Sequence, residues 1–174
     1  MNYPNPSTVQ SCRGSRETEV LKSSSKKGMK TDFAFWDTSA IVPLCYHQPK
    51  ATAASRRLRK KYSKSAVWWG TEVEISSSLA RLLREGTINE RGRVLAFGHW
   101  RSFCAAARVI DATNRVLLIA VELPNRYGLR ALDSFQLAAA LEWCGERPRN
   151  RPFITADHRL GRAADDSGFD VISL

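Results

Sequence analysis

No two cysteines of this 174-residue sequence are spaced to clasp a metal together: Cys12, Cys45, Cys104 and Cys144 are scattered, without a CxxC pair. Histidine is scarcer still, with His47, His99 and His158 only, none at ligand spacing from a cysteine. Neither a zinc site nor a disulfide scaffold is indicated, and unpaired thiols suit a reducing, cytoplasmic setting. Long apolar runs are missing too. Nothing approaches the roughly 18 residues needed to span a bilayer, and the first residues lack the apolar stretch of a secretion signal. The sequence therefore predicts a protein neither held in a membrane nor exported. Acid is in short supply, with 17 Asp and Glu against 27 Lys and Arg, a formal charge of +10 and a pI near 9.9. Such a charge suits a polyanionic partner, because Lys and Arg set on phosphates release condensed counterions.

What is present organises itself from Lys30 onward. Residues 1 to 30 are rich in Ser, Lys and Arg, include Ser23-Ser24-Ser25-Lys26-Lys27-Gly28, and show almost no apolar periodicity. The expectation is a disordered extension over 1–29 and one folded domain over 30–174. Met29 is a candidate natural start, which mass spectrometry of native protein showing earlier residues would refute. The folded part is basic in its own right, with 21 basic and 15 acidic residues beyond Thr31 inclusive.

The periodicity predicts a buried strand over Phe33-Ala34-Phe35-Trp36, stopped by Asp37-Thr38-Ser39 read as a loop. A basic helix over Ala51–Lys64 and an apolar run from Ala66 to Trp69 follow. Thr71 then opens a helix that Gly86 stops. A helical pair is expected over Asn89–Ala107, a strand at Arg108-Val109-Ile110, and helices over Thr113–Tyr127, Leu132–Cys144 and Arg159–Ser167. Pro152-Phe153-Ile154-Thr155 and Asp170-Val171-Ile172-Ser173 read as further strands. Strands alternating with helices predict an α/β fold, a mainly parallel sheet covered on both faces.

Ligands of open parallel sheets bind beyond the carboxyl ends of the strands. Asp37 immediately follows one strand and Asp157 follows another by two residues, so both face one edge if those strands are neighbours. Glu74 and Asp133 have simpler explanations available. Thr71-Glu72-Val73-Glu74 fits a capping box, and Asp133 with Gln136 fits a helix N-cap. Four acids, each at an element boundary of an otherwise basic chain, nevertheless form a pattern. Crowded carboxylates resist ionisation unless a cation neutralises them, and oxygen-only donors select hard ions, hence Mg²⁺ or Mn²⁺.

Four stretches in order carry a family resemblance. Phe35-Trp36-Asp37-Thr38-Ser39-Ala40 and Thr71-Glu72-Val73-Glu74-Ile75-Ser76-Ser77-Ser78-Leu79-Ala80-Arg81 come first. Leu129-Arg130-Ala131-Leu132-Asp133-Ser134-Phe135-Gln136 and Phe153-Ile154-Thr155-Ala156-Asp157-His158-Arg159-Leu160 follow, then Gly168-Phe169-Asp170-Val171-Ile172 as a terminal strand. Together they resemble the PIN domains, in particular the VapC-type toxin ribonucleases. The resemblance implies a PIN-like three-layer α/β/α fold and Mg²⁺-dependent endoribonuclease activity. It implies Asp37, Glu74, Asp133 and Asp157 as the catalytic and metal-holding acids, Thr155 as a polar neighbour, and Thr38 or Ser39 orienting the first aspartate. It further implies an RNA substrate, a cognate antitoxin whose tail enters the acidic groove, and a homodimer. The family pattern also selects Glu74 over Glu72, since its acid precedes the Ile-x-Ser-x-Leu-Ala-Arg stretch. Gln136 stands where many relatives carry His.

Other residues are candidates for reading the substrate. Arg56, Arg57, Arg59, Lys60 and Lys61, with Tyr62 and Lys64, concentrate cations on one segment expected beside the cleft, which suits single-stranded RNA; a solvated helix face explains them equally well. Trp68 and Trp69 are able to stack bases, although an apolar strand entering the core is the simpler account. The histidines match no catalytic triad. A phosphatase of the kind that needs a strand-end DxD is excluded by Thr38-Ser39 after Asp37, and a receiver domain by the lack of an acidic pair there. The non-enzyme alternative is a PIN scaffold that only binds RNA or protein.

Overall fold

The computed structural model describes residues 31–174, and the expectations for the preceding segment lie outside the described residues. Twelve elements alternate along the described chain: β1 (Phe33–Trp36), α1 (Thr38–Cys45), α2 (Pro49–Lys61), β2 (Lys64–Trp68), α3 (Thr71–Arg84), α4 (Glu90–Ala105), β3 (Ala107–Ile110), α5 (Asn114–Tyr127), α6 (Ala131–Trp143), β4 (Pro152–Thr155), α7 (His158–Asp166) and β5 (Asp170–Ser173).

The five strands pair parallel throughout in the order β3-β2-β1-β4-β5. The strands are short apolar runs because both faces of the sheet are buried. Alternation within β1 divides the core in two. Phe35 points to one face, where it packs beside Phe153 of β4 and against Leu137, Ala140, Val116 and Leu160 from the layer of α5, α6 and α7. Ala34 and Trp36 point to the other, against Ile41, Leu58, Ile75, Leu79 and Trp100 of α1 to α4. The result is the expected three-layer α/β/α arrangement. Among the described residues no helix is long and apolar enough to cross a membrane.

Chain order reverses at β1: β2 and β3 build outward on one side, β4 and β5 on the other. The crevice at the carboxyl ends of β1 and β4, registered by Trp36 opposite Ile154, is thus the switch point where ligands of such sheets bind.

Three expectations need correcting. Asp37-Thr38-Ser39 is not a loop but the start of α1, with Asp37 as its N-cap; Pro43 within the helix and the short apolar length hid it. The segment 89–107 holds a single helix, α4, rather than a pair. Gly98 does not break it because Ala96, Trp100 and Phe103 recur on one face and anchor both halves in the core. The basic helix also ends at Lys61, with Lys64 already in β2.

Candidate functional site

Asp37 is 4% exposed, yet it is not unpaired. Its Oδ2 accepts from the Ser39 backbone N–H at 3.2 Å, from the Ser39 hydroxyl, and from the Thr155 hydroxyl at 2.9 Å. Ser39 Oγ in turn accepts from the Ala156 N–H at 2.8 Å, and Thr155 Oγ1 accepts from the Asp157 N–H at 3.0 Å. The β1–α1 corner and the β4–α7 corner are therefore sewn together through one carboxylate oxygen, while none of these bonds goes to Oδ1. Burial pushes the Asp37 carboxyl above its ordinary pKa, against the pull of the hydroxyls.

Asp157 caps α7: its Oδ1 accepts from the N–H groups of Arg159 and Leu160, both at 2.8 Å, and Oδ2 takes no part. Glu74 comes from the first turn of α3, where Ile75 and Leu79 are buried and Glu72 is exposed. Gln136, 1% exposed on α6, donates through Nε2 to Glu74 Oε1 at 3.0 Å and to Thr38 Oγ1 at 2.7 Å. Burial, with the charges of Asp37 and Asp133, lifts the Glu74 pKa to about 7. Burial and then the charge of Asp157 lift that of Asp133, while Arg130 and Arg159 pull it back.

The four acids thus form a chain of electrostatic neighbours, Asp37 to Glu74 to Asp133 to Asp157. Among the described residues, no group of three or more His, Cys, Asp or Glu is placed to hold a metal ion. The chemistry of the donors is that which a hard cation takes: Asp37, Glu74 and Asp157 each have one carboxylate oxygen held by protein donors, and the other takes no part in those bonds.

The capping explanations fail at two positions. Gly70 is the N-cap of α3, and Thr71 is buried with its hydroxyl turned to Gln136. Arg130 is the N-cap of α6 and makes no side-chain capping bond, which leaves Asp133 inside the first turn, against the positive end of the helix. Of the two hydroxyls after Asp37, Ser39 bonds the aspartate and Thr38 accepts from Gln136.

The basic run does not join this site. Arg59 spends its guanidinium on the carbonyls of Tyr62 and Ser63, and Ser63 bonds Asp32, all at the amino ends of β1 and β2, opposite the edge that carries Asp37. Arg56, Arg57, Lys60 and Lys61 share that end of α2 and are exposed. The cations the structure sets beside the acids are Arg130 and Arg159. Sequence reasoning did not select them, because single arginines flanking helix starts carry no pattern of their own. It named Gln136 as a capping partner of Asp133 and as a departure from relatives; its bonds to Thr38 and Glu74 show once burial is known. Trp68 and Trp69 part company, the first buried and the second 58% exposed. His158 is exposed at the start of α7.

Comparison with known proteins accords with this geometry. The family model described as PIN domain matches residues 34–166. No curated protein matches the chain by sequence. Among solved structures, a toxin–antitoxin complex from Klebsiella pneumoniae superposes with a TM-score of 0.55 at 18% identity, covering 80% of this chain and 96% of that one. VapBC2 from Rickettsia felis, bound to a DNA fragment from its promoter, gives a TM-score of 0.55 at 13% identity, covering 81% and 98%.

Proposed function

Because the chain belongs to the PIN-domain family, we propose that it is a metal-dependent endoribonuclease and the toxin of a toxin–antitoxin pair. The observation that carries this reading is Asp37, fixed through one oxygen at the switch point of the sheet, with Glu74 as its charged neighbour and Asp133 and Asp157 following in turn. Asp37, Asp133, Asp157 and Glu74 are the residues that would hold Mg²⁺ or Mn²⁺. Such an ion, when bound, activates water and stabilises the leaving oxygen of a phosphodiester displacement.

The chain's own residues do the rest. Ser39 and Thr155 lock the Asp37 carboxylate so that its Oδ1 keeps one direction, which positions a reacting group without reorganisation. Gln136 donates to Glu74 Oε1, which fixes the carboxylate so that it would meet the ion in one orientation. Arg130 and Arg159, beside Asp133, meet the scissile phosphate and offset the negative field that an RNA strand must enter.

An antitoxin segment entering the same groove would bring its own cation to the acids and displace substrate. Self-association has a candidate surface in exposed Leu118 and Val121 of α5. Expression in a bacterial host tests the toxin reading. Wild-type protein is expected to arrest growth and Asp37→Asn to permit it at equal protein level; growth undisturbed by accumulated wild-type protein contradicts it.

A further inference from the structure

Beside the acids lies a concavity that the phosphodiester chemistry leaves unused. It encloses about 530 Å³ and is walled by Trp68, Trp69, Gly70, Val73, Leu132 and Phe135. Glu74 lies on its lining as well as in the acidic chain, so the two sites share a border.

The wall is aromatic and ordered. Trp68 stacks on Phe135 with ring centroids 5.3 Å apart and planes 4° from parallel. Trp69 meets Trp68 edge-on at 6.1 Å and 73°, and more than half of it is open to solvent. Gly70 is required for this packing, since a Cβ there would stand 2.2 Å from Trp68 Nε1. That buried Nε1–H has no hydrogen-bond partner among the described residues, although an unpaired buried donor is costly.

We infer that this pocket takes a nucleobase of the RNA strand whose phosphodiester lies at the acidic site, with Trp69 as the stacking, specificity-determining residue. The inference rests on the nuclease reading above. A nucleobase offers a flat π face for the exposed ring of Trp69, and a shared Glu74 lets one nucleotide span both sites. The chain's charge of +10, with Arg130 and Arg159 at the acids, complements a polyanion.

The test is fluorescence anisotropy in an Asp37→Asn background with Mg²⁺ present. The probes are a labelled single-stranded RNA oligomer of mixed sequence and an abasic phosphodiester strand of equal length and charge. Stacking of a base on an aromatic side chain is worth on the order of five- to a hundredfold in affinity. The parent is expected to prefer RNA over the abasic strand by about tenfold or more, Trp69→Ala to abolish that preference, and Trp69→Phe to retain most of it. Circular dichroism of the exposed-site variants controls for folding. If Trp69→Ala keeps the preference, the pocket does not read a base, and the nuclease reading stands without it. If sedimentation shows Trp69→Ala turning a dimer into a monomer with both affinities unchanged, a second copy covers the pocket and the inference is overturned. Binding of neither strand by the parent overturns the nuclease reading and this inference together.

Discussion

Asp37 is held at rest in a state its surroundings resist. It is buried, and burial raises its pKa, yet a serine and a threonine aim donors at it as though it were to remain a carboxylate. Asp37→Asn keeps the volume and removes the buried charge. The metal-free variant is expected to melt no lower than wild type while losing RNA cleavage by at least about a hundredfold. Glu74 carries a pH signature. Its ordinary pKa is 4.5 and its folded value about 7, so the folded state binds the extra proton. Stability from this group is fully present below about 4.5 and is lost as pH rises through about 7. Asp133 and Asp37, also raised, act in the same sense. Metal-free protein should therefore melt several degrees lower at about pH 8 than at about pH 5, and Glu74→Gln should flatten that difference; an unchanged slope in Glu74→Gln contradicts the assignment. Gln136 touches both Thr38 and Glu74. Gln136→Leu, which leaves Glu74 without its fixed donor, is expected to lower activity about 10- to 100-fold, with half-maximal activity reached at a higher Mg²⁺ concentration in a metal titration.

The elements show how far pattern reached. Strands β1, β4 and β5 and helices α3, α5 and α6 were legible because short apolar runs and apolar periodicity report burial directly. Helix α1 was not, because its start doubles as the polar end of a strand and Pro43 sits within its eight residues. The capping box at Thr71 was a false match, since Thr71 is buried and its hydroxyl faces Gln136 and not the helix amides. At Asp157 the cap is real and separable from chemistry. Asp157→Ala is expected to cost about 1 kcal/mol of stability and to lower cleavage as well. Asp157→Asn keeps an N-cap residue and should lose cleavage alone; equal melting losses in both variants would argue that capping is not what Asp157 contributes.

For the molecule as a whole, a parallel sheet whose chain order reverses at β1 brings Asp37 and Asp157 together from 120 residues apart. The sequence pointed to both acids as strand-end residues, but the pairing of β1 with β4 that makes them neighbours is a long-range fact no local pattern holds. The basic run shows the converse. Its charge was plain in the sequence, and its placement at the amino ends of the strands, away from the acids, was not. Replacing Arg56, Arg57, Lys60 and Lys61 with Gln is expected to reduce the salt dependence of RNA binding while leaving the cleavage positions unchanged. The central claim is that these carboxylates cut RNA with a divalent ion. The most direct measurement incubates purified protein, free of any antitoxin, with structured cellular RNAs in Mg²⁺ or EDTA, beside Asp37→Asn. Discrete fragments that need both Mg²⁺ and Asp37 are the expected result. RNA left intact in Mg²⁺ and in Mn²⁺ would contradict the claim and leave a PIN scaffold that binds without cutting.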